Sequence, residues 1–205
     1  IQRDKSLINE VQQMRSQFVT CQQALIHGDL HTGSIMVLPS ETKIIDPEFM
    51  SVGPMSFDIG ALIGNLWLSY ATHEVRTLDP QDRARFRHYL ETTIRDMWQV
   101  FISQLETVSN SYLLSESETV CFDQFAQQLM KDVAGMAGCI ILRRVIGTSG
   151  VEDIRGIKDS KERAVASTLA LNIGRTLLIQ RHAIETIDQL IHIATTSMLA
   201  ELLTS

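Results

Sequence analysis

This 205-residue chain has no run of basic residues, no long apolar stretch and no closely spaced cysteine pair, and each absence removes a class of function. Its 18 Lys and Arg face 24 Asp and Glu, a formal net charge of −6, which disfavours non-specific binding to nucleic acid or to an anionic membrane. No apolar run approaches the roughly 18 to 20 residues that span a bilayer. The three cysteines, Cys21, Cys121 and Cys139, are far apart and odd in number. Without a C-x-x-C pair they read as small buried hydrophobes of a reducing compartment, not as a disulfide framework or zinc site. A cytoplasmic protein is therefore the expectation. No H-E-x-x-H motif offers a zinc protease site, and no internal repeat or low-complexity tract suggests an array. Prolines number four, so long stretches of good helix formers run uninterrupted.

What the chain does contain is a pair of acidic motifs in quick succession, His27-Gly28-Asp29-Leu30-His31 and Ile45-Asp46-Pro47-Glu48-Phe49. Short apolar stretches at 24–26, 35–38 and 43–45 flank them and place the carboxylates at the mouths of small strands. Transfer of a phosphoryl group needs one carboxylate to orient an acceptor hydroxyl and take its proton, and other oxygen ligands for the Mg²⁺ that offsets phosphate charge. Asp29 suits the first task, Asp46 and Glu48 the second. In an extended segment the side chains of Asp46 and Glu48 face one way, and Pro47 restricts the residue before it to extended geometry. Either motif alone is more often a turn than a catalyst. Their ordered conjunction favours chemistry.

The block His27-Gly28-Asp29-Leu30-His31-Thr32-Gly33-Ser34-Ile35, Asp46-Pro47-Glu48-Phe49 and 53–65 resembles the 5-methylthioribose kinases, a branch of the aminoglycoside phosphotransferase and choline kinase superfamily. The resemblance implies a mainly α fold with a small β-hairpin, the C-terminal lobe of the protein-kinase-like fold, filling 1–205 as a single domain. It implies ATP as co-substrate, Mg²⁺, and phosphorylation of 5-methylthioribose in methionine salvage. Asp29 becomes the catalytic base and a substrate contact, Asp46, Pro47 and Glu48 the ATP-binding segment, and Asp46 with Glu48 the metal ligands. Arg144, with Arg143 as its partner, becomes the substrate grip, although twin arginines ending an apolar helix are by themselves an exit to solvent. His27, His31, Ser34 and Asp58 become support for the loop. Ser34 stands where most relatives carry a metal-binding Asn, a departure shared with methylthioribose kinases. Kinases of another small alcohol or of aminoglycosides form the second enzymatic reading. A non-catalytic binding module is the third, and a homodimer is compatible with all of them. A Gly-rich loop and a strand Lys paired with a helix Glu are absent before residue 25, so the nucleotide-binding lobe is expected to lie outside this chain and the chain alone to be inactive.

The rest reads as helix. Leu7, Ile8, Val11, Met14, Phe18 and Cys21 mark one face of a helix within 1–23, and Ser56 can cap another to about 71. Further helices are expected at 81–106, opened by Pro80, and at 118–147, 160–181 and 183–203, with a connecting loop at 107–117. Trp67 and Trp98 fall on apolar faces. Arg83, Arg85, Arg87 and Arg95 read as a solvated face, and Gly147-Thr148-Ser149-Gly150 as a helix-ending loop that lacks the strand and Lys of a phosphate cradle.

Overall fold

In the computed structural model, which describes residues 4–112, 116–148 and 150–202, the first helix opens at Asp4, whose carboxylate accepts from the Leu7 N–H at 3.1 Å. This helix, α1 (Lys5–Thr20), leads into a small β region: β1 (Ala24–Ile26), a 3-10 turn at Thr32–Ser34, β2 (Ile35–Leu38), β3 (Glu41–Ile44) and β4 (Ser51–Gly53). The expected hairpin is β2 against β3, antiparallel, with Ile35 opposite Ile44 and Leu38 opposite Glu41. A second two-stranded sheet pairs β1 with β4, Leu25 opposite Val52. Sequence reading does not foresee this pairing, because three residues of β4 are too short a run to show a period.

Helices then follow without further strands among the described residues: α2 (Ser56–Arg76), α3 (Pro80–Tyr112), α4 (Glu116–Ile146), α5 (Glu152–Arg155), α6 (Ser160–Gln180) and α7 (Ile187–Leu202). Asp79 starts α3 by accepting from the Gln81 and Asp82 amides at 2.9 and 2.8 Å, with Pro80 in the first helical position. Asp159 does the same for α6 through Lys161 and Glu162. Two expectations fail here. Ser56 is not the cap of α2: Met55 holds that position without a side-chain bond, and the Ser56 hydroxyl is buried inside the first turn. The loop expected at 107–117 is largely helix, with only 113–115 lying outside the described residues. Thr107 shows why polar composition does not break α3 there, since its hydroxyl donates back to the Ser103 carbonyl at 2.9 Å and leaves the helical ladder intact.

The core lies between α2, α4 and α6, with α3 and α7 closing it, and Trp67, Ile63, Leu68, Ile141, Leu169 and Ile173 are shielded from solvent. Helices α4 and α6 approach closely because Gly138 faces the Gly174 carbonyl, where a Cβ would stand at 2.6 Å. Helix α1 joins through a satellite cluster, Leu7, Met14, Met136, Leu142 and Leu178. A buried charge network fixes it further: Arg181 reaches Glu10 at 2.8 Å and Gln13 at 2.7 Å, and lies 3.6 Å from Asp132. Burial pushes the Asp132 carboxyl above its usual range, and hydrogen bonds from Gln17 and Gln128 and the Arg181 charge oppose that shift.

The arginine set on α3 is only partly a solvated face. Arg85 pairs with Asp82 in the open, and Arg95 with Asp188. Arg83 and Arg87 turn inward to Glu74 on α2, and Arg87 also lies 4.9 Å from the centre of the Tyr70 ring. Cys21 and Cys139 are free thiols, and the side chain of Cys121 lies outside the described residues. No helix among the described residues is long and apolar enough to cross a membrane.

Candidate active site

The loop between β1 and the 3-10 turn is built around Gly28. Its φ of 86° is left-handed, and a Cβ there would stand 2.3 Å from the Phe49 carbonyl oxygen, so only glycine lets the loop lie against the Asp46–Phe49 segment. The backbone is held from below by Asp58 in the first turn of α2. Its two carboxylate oxygens accept from the His27 amide and, at 3.0 Å, from the Gly28 amide. His27 ties the loop to the second motif, its Nε2 lying 2.9 Å from the Ile45 carbonyl while Nδ1 stands 3.4 Å from the Asp29 amide. A tautomer with the proton on Nε2 satisfies both contacts. His31 caps the 3-10 turn by accepting from Gly33 N–H at 3.0 Å. Ser34 is buried, donates its hydroxyl to the Asp29 carbonyl at 3.3 Å, and receives the Ile45 amide on its own carbonyl at 2.9 Å.

Asp29 points into a cavity of about 390 Å³ that it shares with Arg143 and Arg144 from the last turn of α4, and with Phe18, Phe49 and Ser51. The Arg144 Nη2 donates to Asp29 Oδ1 at 3.0 Å, and His31 Nε2 stands 3.8 Å from Oδ2. Arg143 has no counter-ion among the described residues. Burial, and then the adjacent Arg144 charge, hold its guanidinium below the usual arginine value, with Asp29 acting the other way. Three of the residues singled out from sequence thus meet in one cavity, although Asp29 is 115 positions from Arg144 in the chain. Sequence reading does not mark Phe18, Phe49 or Ser51 as site residues. The two aromatic rings are substantially exposed, and sequence offers no sign that distinguishes an apolar side chain left for a ligand from one destined for the core.

Asp46 and Glu48 do not line that cavity, and the extended geometry expected of them is not what forms. β3 ends at Ile44, Asp46 takes φ 66°, and Met50 N–H closes a turn onto the Pro47 carbonyl at 3.1 Å. Aspartate tolerates the left-handed region better than most residues, and the right-handed helical region is closed to a residue before proline. A left-handed aspartate is nevertheless a strained one, of the kind that gathers at functional positions. Both carboxylates are exposed and accept no hydrogen bond among the described residues. Nor do the described residues include a group of three or more His, Cys, Asp or Glu placed to hold a metal by themselves.

Comparison with known proteins adds to this geometry. Residues 1–99 match the Phosphotransferase enzyme family, an interval that holds Asp29, Asp46, Glu48 and Asp58. Methylthioribose kinase 1 of Oryza sativa subsp. japonica is 35% identical over 204 residues, which is 93% of this chain and 47% of that protein. Methylthioribose kinase of Escherichia coli O45:K1 is 34% identical, covering 93% of this chain and 48% of its own length. Methylthioribose kinase of Bacillus mycoides is 38% identical over 85% of this chain and 43% of its own length. The chain spans about half the length of the curated relatives it matches. By these matches the chain is similar over most of its length to about half of each methylthioribose kinase, and its mainly helical architecture with small sheets is that of the kinase-like fold.

Proposed function

We propose that the protein to which this chain belongs transfers the γ-phosphoryl group of ATP to the 1-hydroxyl of 5-methylthioribose, with residues 1–205 as its catalytic lobe. The observation that carries this reading is the Asp29 carboxylate, held on a braced loop at the wall of a cavity with two guanidinium groups beside it. The names of the relatives supply the substrate class. With Oδ1 taken by Arg144, Oδ2 is the oxygen that accepts the hydrogen bond of the sugar hydroxyl and then its proton. The hydroxyl oxygen forms a bond to the γ-phosphorus as the bond to the β-bridging oxygen breaks and ADP leaves. Arg143 and Arg144 offset the negative charge on the migrating group and donate to the sugar oxygens.

Asp46 and Glu48 suit a hard cation because they are two exposed carboxylates without partners among the described residues. The remaining ligands would be phosphate oxygens and water, as is usual for Mg²⁺. Bound there, Mg²⁺ would neutralise phosphate charge. The nucleotide lobe of the whole protein would rest on the exposed apolar side chains of β2 and β3, and the chain without it would turn over negligibly.

In the full-length protein, Asp29→Asn is expected to lower kcat by about 10²- to 10⁴-fold, the usual worth of a general base, with nucleotide affinity unchanged. Asp46→Asn is expected to weaken Mg²⁺·ATP binding instead. Equal losses of nucleotide affinity in the two variants would show that this division of labour is wrong.

A further inference from the structure

A second cleft, of about 480 Å³, opens between α1 and α4, with Ile8 and Val11 on one wall and Cys139, Leu142 and Ile146 on the other. It is not a gap in the core, because Ile8 is 43% exposed and Ile146 58%, so the walls reach solvent. Among the described residues no carboxylate lines it. Burial pushes the Cys139 thiol up to about 12, which keeps that side chain neutral. Among the described residues the one charged group on the cleft is Arg143, which has no ion-pair partner there, whereas its neighbour Arg144 has Asp29 as a counter-ion. An apolar slot of this size with one uncompensated guanidinium at its rim is complementary to a molecule with a hydrocarbon body and an anionic end.

We propose that this cleft is a second small-molecule site, for an aliphatic carboxylate whose chain lies along Ile8, Val11 and Leu142 and whose anion meets Arg143. Arg143 also lines the Asp29 cavity, so one side chain serves two places. A carboxylate in the cleft draws that guanidinium toward α1 and weakens the hold on the acceptor sugar, a coupling that rests on the function proposed above.

Calorimetric titration of the full-length protein with octanoate and with octan-1-ol tests the site without needing turnover. One octanoate per chain is expected, bound about tenfold more tightly than the alcohol, the usual worth of a hydrogen bond to a charged group. Ile8→Asp, at the exposed mouth of the cleft, is expected to weaken octanoate at least about tenfold by desolvating a carboxylate beside the ligand. Val100→Asp on α3, another exposed apolar position, is expected to leave it unchanged. Equal affinity for acid and alcohol, or an equal loss in both variants, overturns the site. In a coupled assay octanoate is expected to raise the KM for the sugar in the wild type and not in Ile8→Asp. Tight binding with an unmoved KM overturns the coupling, whereas a protein that binds octanoate but phosphorylates nothing counts against the reading of the Asp29 cavity alone.

Discussion

Gly28 is the residue at which the two acidic motifs touch. An alanine there meets the left-handed backbone penalty of about 1–2 kcal/mol and, beyond it, a Cβ placed 2.3 Å from the Phe49 carbonyl oxygen. The loop cannot relax downward, since Asp58 holds the adjacent amides. Gly28→Ala is therefore expected to displace Asp29 from its cavity, lowering kcat/KM of the full-length protein by about 10²-fold, the scale of a 1 Å misplacement, while urea unfolding shifts only modestly. Activity within twofold of wild type would mean that the loop has another way to seat Asp29. The Asp29 loop is legible in the sequence because its His-Gly-Asp run is followed in order by a second acidic motif, whereas either alone reads as a turn. The left-handed φ of Asp46 is not, since it depends on where β3 stops and how the chain turns toward β4.

At the scale of elements, capping and periodicity are local, and they place α1, α4, α6 and α7 within a few residues of their observed bounds, whereas α3 runs past its expected end at 106 to Tyr112. α2 runs five residues beyond its expected end at 71, to Arg76. What they cannot give is pairing between distant segments, such as β1 with β4, or the anchoring of α1 by charges from α4 and the turn after α6. Nothing about Glu10, Asp132 or Arg181 in the sequence marks them as a buried cluster. The cluster nevertheless governs how α1, which leads into the Asp29 loop, sits on the lobe. Arg181→Ala removes the guanidinium from a nearly inaccessible place and leaves the Glu10 and Asp132 carboxylates without the cation that both of them meet. The expected cost is about 3–5 kcal/mol in urea unfolding, the range for breaking a buried pair from one side. Removing the charges together, as Glu10→Gln with Asp132→Asn and Arg181→Met, is expected to cost clearly less. Equal losses in the two proteins would show that packing of the arginine stem, and not charge compensation, is what α1 depends on.

For the molecule as a whole, the uneven distribution of apolar surface decides behaviour. The helical lobe buries its large side chains, but the β2–β3 hairpin packs on neither face: Met36 and Leu38 point one way, Val37 the other, and all three are exposed, as is Ile44 on β3. Phe49 and Met50 are exposed as well, and Phe49 lines the Asp29 cavity. An exposed two-stranded ribbon with apolar residues on both faces and open edges is a site for association. The 205-residue chain is thus expected to self-associate in sedimentation velocity, and Val37→Lys with Ile44→Lys to return it toward monomer without lowering its unfolding midpoint. If the proposed nucleotide lobe covers this ribbon, the amides of β2 and β3 exchange more slowly in the full-length protein than in the 205-residue chain, while those of the α2–α4–α6 core exchange alike in both. Hydrogen exchange read segment by segment separates these cases. Equal exchange of the hairpin amides in the two proteins would mean that the second lobe rests elsewhere, and that the apolar ribbon serves contacts between copies of the chain instead.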